Sequence, residues 1–208
     1  MSKLFAITVE GTTPLLLHRF TDEAQISATE GTAVSTVGDR GTPHEQASMS
    51  LYLHDDTEVM PGPNLFRCII DAGKFFRTGR VKVTTVKTSL LPSCLSVNEI
   101  IIPICSSKGW TVDSRPVRIP STGGRIIRHR PMFHDWRLSF GLTLDETIIS
   151  AKLLREIVDA AGTRIGLGDF RPTQKGLLDG SSSWRGKRLQ SNRPGKAGHG
   201  RARHGRAR

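Results

Sequence analysis

Three stretches of this 208-residue sequence gather the residue types that grip phosphate. The first holds Lys74, Arg77, Arg80, Lys82 and Lys87 with no acid between them, and Phe75 and Phe76 lie among the cations. Cations hold phosphates while aromatic faces stack on bases, the combination expected for a single strand; a solvated face with one phenylalanine in the core is the plainer alternative. The second stretch is Arg115, Arg118, Arg125, Arg128, His129 and Arg130. Arg128 and Arg130 are two apart, so on a strand they share a face with Ile126. Its alternative is an edge hairpin protected by charge. The third is Gly162, Arg164, Gly166, Gly168, Asp169, Phe170 and Arg171, with Lys175 just beyond. Glycines let backbone N–H groups approach a phosphate closely, and the arginines add charge. This loop follows a helix instead of joining strand to helix, which speaks against a dinucleotide site; a bare helix cap and turn is the competing reading.

Other chemistry is poorly supplied. Asp22, Glu23, Glu30, Asp39, Glu45, Asp55, Asp56 and Glu58 crowd residues 21–60. A metal-dependent nuclease needs such carboxylates on rigid elements beside a basic groove, and most of this region reads as a loop. Cys68, Cys94 and Cys105 are odd in number and lack any CxxC or Cys/His spacing. They read as buried free thiols of a reducing compartment, with no zinc site, and no cofactor is expected.

The net charge of +11 is unevenly placed: residues 171–208 hold eleven Lys/Arg against Asp179 alone, which leaves +1 for residues 1–170. Such basic stretches meet polyanions, because each phosphate neutralised releases counterions. The end repeats HGRAR at 199–203 and 204–208, low-complexity sequence with nothing to bury. Residues 176–208 are therefore expected to be a disordered basic tail, either a phosphate-binding arm or the product of an altered reading frame. No apolar run reaches the length of a membrane span, and MSKLFAITVEG lacks the core of a secretion signal, so a cytoplasmic location is expected.

The elements that must position these residues follow from periodicity. Residues 4–9 alternate as a first strand, which continues through Gly11 to Leu15, Leu16 and Leu17 and closes on His18 and Arg19. Residues 21–49 read as a loop insertion and 50–54 as a short strand. Pro63 suits the first turn of a helix whose stripe is Leu65, Ile69, Ile70, Ala72 and Phe76, ending at Gly79. Residues 81–142 read as all-β: VKVTTVKTSLL, then LSVNEIIIPI, then a hairpin around Ser121–Gly124. A further strand there places Trp136, Leu138, Phe140 and Leu142 on one face. Thr143 and Glu146 fit a capping box opening a helix over 144–161, with Ile149, Leu153, Ile157, Ala160 and Ala161 inward and Gly162 as its cap. This order is that of an α+β, elaborated ferredoxin-like (βαββαβ, RRM-like) domain over 1–175 with a β-hairpin insertion. Its helices would cover one sheet face and leave the other as a single-strand platform.

Three segments, VEGTTPLLLHRF (9–20), MPGPNLFR (60–67) and AGTRIGLGDFRP (161–172), resemble in order and spacing the RAMP (repeat-associated mysterious protein) superfamily. Those are the RNA-binding subunits of CRISPR systems; the arrangement is most similar to their effector backbone subunits and also to small phage-encoded relatives. The likeness spans 4–19, 59–78 and 135–173, less than half of the chain. It implies non-enzymatic binding of single-stranded RNA, or less readily single-stranded DNA, by copies that self-associate along the strand or join a CRISPR-type complex in a bacterial or phage-infected cytoplasm. With the basic stretches, it marks Arg19, Lys74, Phe75, Arg77, Arg80, Lys82, Arg125, Arg128, Arg130, Arg164, Gly166, Gly168, Arg171 and Lys175 as binding residues. In that superfamily the glycine-rich loop leads into a last strand, yet KGLLDGSSSWRGKRLQSN shows no convincing strand, so an open sheet edge is expected here. The superfamily's repeat-processing endonucleases imply one alternative: His18 as general base on an RNA 2′-hydroxyl without a metal. No second acid or base can be placed beside it from sequence. A protein-interaction module that joins or mimics a CRISPR complex is the other alternative.

Overall fold

The computed structural model describes residues 2–20, 29, 41–118, 123–169, 171 and 184–192, the last nine as backbone. Strands β1 (Ser2–Gly11) and β2 (Leu15–Leu16) open the chain. Helix α1 (Pro43–Ser48), β3 (Leu53–His54) and β4 (Thr57–Pro61) lead into α2 (Gly62–Ala72), which tightens into a 3-10 turn over Gly73–Phe75. Short elements follow: β5 (Arg77–Thr78), β6 (Val81–Lys82), α3 (Leu91–Cys94), β7 (Leu95–Val97), β8 (Ile101–Pro103) and β9 (Cys105–Ser106). The hairpin β10 (Trp110–Arg118) and β11 (Arg125–Phe133) precedes β12 (Trp136–Asp145), α4 (Ala151–Ala160) and β13 (Trp184–Asn192).

The fold is mixed α+β, and every strand pairing among the described residues is antiparallel. The main sheet has the order β13-β1-β12-β7, with β9 also on β12. Along the chain, α2 joins β1 to β7 across β12, and α4 joins β12 to β13 across β1. Alternation explains the core. Phe5, Ile7 and Val9 stand opposite Leu142, Phe140 and Leu138, so two apolar rows share one sheet face. On that core pack the α2 stripe Leu65, Cys68, Ile69 and Ala72 and the α4 stripe Leu154, Ile157 and Val158. Each fully buried side chain of this size contributes about 1.5–3 kcal/mol. Trp136, 1% exposed, donates its indole N–H to the Thr13 carbonyl at 2.8 Å and so anchors the turn that aims the chain at β2.

Several expectations need correction. The last strand is present: β13 pairs with β1 from Leu4↔Asn192 to Gly11↔Trp184, inside the stretch read as tail. A register shift in this pairing at Thr8/Val9, which skips Lys187, breaks the period of two that alternation needs. The second long helix starts at Ala151, not 144; Thr143 and Leu144 pair with Leu4 and Lys3, and Ser150 caps the helix by accepting from the Leu153 N–H at 3.3 Å. A true capping box lies within the 21–49 loop: the Thr42 N–H donates to Glu45 Oε2 at 2.7 Å and the Glu45 N–H to Thr42 Oγ1 at 3.3 Å. VKVTTVKTSLL is not one strand. After Val81–Lys82 the Thr85 hydroxyl accepts from the Lys87 and Thr88 N–H groups and turns the chain. LSVNEIIIPI likewise divides into β7 and β8. The first helix stops at Ala72, and Gly79 instead lies in the β5–β6 turn at φ +58°. Cys68 and Cys94 are buried, but Cys105 is exposed.

The sheet face away from the helices is not an aromatic platform on its described side chains. On β1 and β12 it presents Leu4, Ala6, Thr8 and Glu10 opposite Thr143, Gly141, Ser139 and Arg137, with Glu10 and Arg137 paired at 3.3 Å. Among the described residues no helix is long and apolar enough to cross a membrane.

Candidate nucleic-acid interface

The glycine-rich loop is built by a change of helical pitch. Helix α4 passes into a π turn over Ala161–Ile165, closed by the Gly166 N–H on the Ala161 carbonyl at 2.8 Å. The Cys68 thiol of α2 reaches the Gly166 carbonyl at 3.2 Å, and burial pushes that thiol well above its ordinary range. Gly168 then takes φ +70°, and a Cβ there would lie 2.2 Å from the Leu16 carbonyl oxygen of β2. Only glycine allows this approach, which lets the Asp169 N–H donate to that same oxygen at 2.9 Å.

Asp169 then joins the loop to the hairpin. Strand β2 pairs with the end of β11 through Leu16↔Met132 and Leu15↔Phe133, so His18 emerges alongside Arg128 and Arg130. Arg130, 2% exposed, donates from Nη1 to Asp169 Oδ2 at 2.5 Å. His18 Nδ1 lies 3.3 Å from the same oxygen, and Arg128 Nη1 lies 3.0 Å from His18 Nε2. A guanidinium can only donate, so Nε2 accepts, and Nδ1 carries the proton it gives to Asp169. His18 thereby has both ring nitrogens engaged. The His18 hydrogen bond and, after it, the Arg130 charge hold the Asp169 carboxyl well below the usual carboxylate range, against partial burial that works the other way. Across the hairpin Arg115 faces Arg128, and Arg115 Nε donates to the buried Asp113 at 2.7 Å, which tempers the repulsion between the two cations.

Beside this network a cleft of about 480 Å³ opens between β2, α2 and the loop. Leu17, Met60 and Leu167, each no more than 2% exposed, form its apolar part. Phe20 and Tyr52 add aromatic surface, and Asn64, Arg67 and Arg171 add polar groups.

The structure therefore brings His18, Arg128, Gly168 and Arg171 to one place, with Arg19 following His18 and held by its N–H on the Ser50 carbonyl at 3.0 Å. Arg130 is an internal anchor of the loop. Phe20, Tyr52, Asn64 and Arg67 were missed as site residues. Asn64 and Arg67 belong to the MPGPNLFR motif and Phe20 follows His18-Arg19, so three of the four had a sequence signal. A second cluster joins distant segments: Lys74 Nζ lies 5.0 Å and Arg164 Cζ 4.9 Å from the centre of the Phe75 ring, which is 41% exposed while Phe76 packs against the core. Arg77, Arg80 and Lys82 form the exposed β5–β6 turn, with Arg77 donating to the Arg80 carbonyl at 3.3 Å, and Arg125 is exposed at the far end of the hairpin opposite Arg118. Lys175, Phe170 and the carboxylates Asp22, Glu23, Glu30 and Asp39 lie outside the described residues.

No known protein family and no curated protein matches this sequence. In fold, the chain is similar to a chain of the type III-B Cmr-beta complex bound to cognate target RNA, determined by cryo-EM, with TM-score 0.47 and 9% identity. The match covers 91% of this chain and 61% of that one, so this chain spans under two thirds of its neighbour's length.

Proposed function

We propose that this chain binds single-stranded nucleic acid, RNA in preference to DNA, where β2, the β10–β11 hairpin and the glycine-rich loop meet. The observation that carries the reading is the hydrogen-bonded run from Arg128 through His18 to Asp169, beside a cleft with aromatic and cationic walls. It supports one surface made from separate basic stretches, with aromatic rings for bases and guanidinium groups for phosphates. The sheet order β13-β1-β12-β7 with its two crossing helices supports a ferredoxin-like domain of RAMP type. In this reading copies self-associate along one strand, and binding is cooperative. In this reading His18 positions its neighbours, with one ring nitrogen on Arg128 and the other on Asp169.

Arg128→Ala and Arg171→Ala test the reading by fluorescence anisotropy on labelled single-stranded RNA across a salt series. Each weakens binding by about threefold to tenfold and lowers the magnitude of the log–log salt slope by about 0.7. Thermal stability barely changes, since Arg128 is exposed and neither residue is part of the apolar core. Unchanged affinity and slope in both variants would move the binding surface elsewhere.

A further inference from the structure

We infer that the cleft beside Asp169 is a pocket for one unstacked base, with the Asn64 amide reading an adenine-type edge; the inference rests on the single-strand reading above and narrows it to a nucleotide. The groups around the cleft divide in two. His18 and Asp169 are tied to Arg128 and Arg130, so their polar atoms serve the fold. The Asn64 amide and the Tyr52 hydroxyl line the same space and make no hydrogen bond to any other described residue. An asparagine amide sets an acceptor beside a donor, the pair that meets the adjacent N6 donor and N7 acceptor of adenine. Tyr52, half-buried against the core, offers a fixed aromatic surface, and the exposed Phe20 ring lines the same cleft. The volume lies at the small end of pockets that hold small molecules, about 300–1,000 Å³, so it suits a single nucleotide and not a duplex. Arg67 borders the cleft with its Nε held by Asp71 at 3.1 Å, and its remaining N–H groups are of the kind that grip a phosphate.

Tyr52 is the sole tyrosine of the chain, so 3-fluorotyrosine labelling of the full-length protein gives one 19F resonance inside the cleft. Titration with AMP, GMP, CMP and UMP, and with ribose 5-phosphate as a base-free control, reads occupancy directly. The expected result is a saturable shift with AMP, weaker shifts with the other nucleotides and none with ribose 5-phosphate. Asn64→Leu, at an exposed position, weakens AMP by about tenfold and levels the preference among bases. If ribose 5-phosphate shifts the resonance as far as AMP does, the cleft takes phosphate and the inference is wrong. If no mononucleotide moves the resonance while anisotropy still shows single-stranded RNA binding, the pocket falls and the single-strand reading stands. If neither signal responds, both fall together.

Discussion

Replacing Asp169 with alanine lowers stability by about 3 kcal/mol, read as a fall of about 6–12 °C in thermal midpoint. The cause is the guanidinium it leaves behind. Arg130 is 2% exposed, and removing Asp169 takes from a buried charge the carboxylate that its Nη1 meets, a costly loss at low dielectric. The cost lies at the lower end of the usual range, because the Asp169 side chain is 27% exposed and Asp113 stands opposite Arg130 on the hairpin. Combining Asp169→Ala with Arg130→Met removes the buried charge and recovers part of the loss; simple additivity of the two changes would mean the pair is not coupled. The pH dependence has a definite sign. The folded carboxyl is held below its unfolded value, so its contribution is fully present above about pH 4 and is lost as pH falls through the lower folded value. Wild type and variant therefore converge only in stronger acid.

Gly168→Ala has an effect of similar size by another route, costing about 3 kcal/mol and releasing the loop. A residue with a side chain at φ +70° carries backbone strain of about 1–2 kcal/mol. The added Cβ would also meet the Leu16 carbonyl at 2.2 Å, a backbone atom that cannot swing aside, so the loop must lift and break the Asp169 N–H bond to that oxygen. Gly79→Ala separates the two contributions, since Gly79 has φ +58° but nothing within 4 Å of its Cβ position. The control should cost only the backbone strain, and hydrogen exchange at the Asp169 amide should lose protection in Gly168→Ala alone. Equal costs in the two variants would show that the contact with Leu16 contributes nothing.

Elements that carry their own periodicity were legible in the sequence. The first strand, the β10–β11 hairpin and the Trp136–Leu142 face all repeat with period two over residues close in the chain, and Pro63 and Leu65 mark the start of α2. Misread elements depended on partners far away. Thr143 and Leu144 suit a capping box until Leu4 and Lys3 claim their backbone groups. Strand β13 pairs with a strand about 180 residues earlier, and nothing local announces it. For the site, residue types were legible but roles were not. His18, Arg128 and Gly168 stood out by type, whereas the burial of Arg130 and its pairing with Asp169 needed the β2–β11 and loop–β2 contacts to bring three segments together. Tyr52 lacked any flag, because a lone aromatic in a short strand is indistinguishable from core.

The most direct measurement compares the full chain with residues 1–192, which keep β13 but lose six Lys/Arg and no acid, reducing the net charge from +11 to +5. Anisotropy titrations with labelled single-stranded RNA, single-stranded DNA and duplex, each repeated across a salt series, show where affinity resides. Binding by the folded body predicts that 1–192 retains single-stranded RNA binding, cooperatively and with duplex at least about tenfold weaker, because bases must be open to stack on aromatic walls. Affinity that vanishes with residues 193–208, or duplex that binds 1–192 as tightly as single strands, would contradict it.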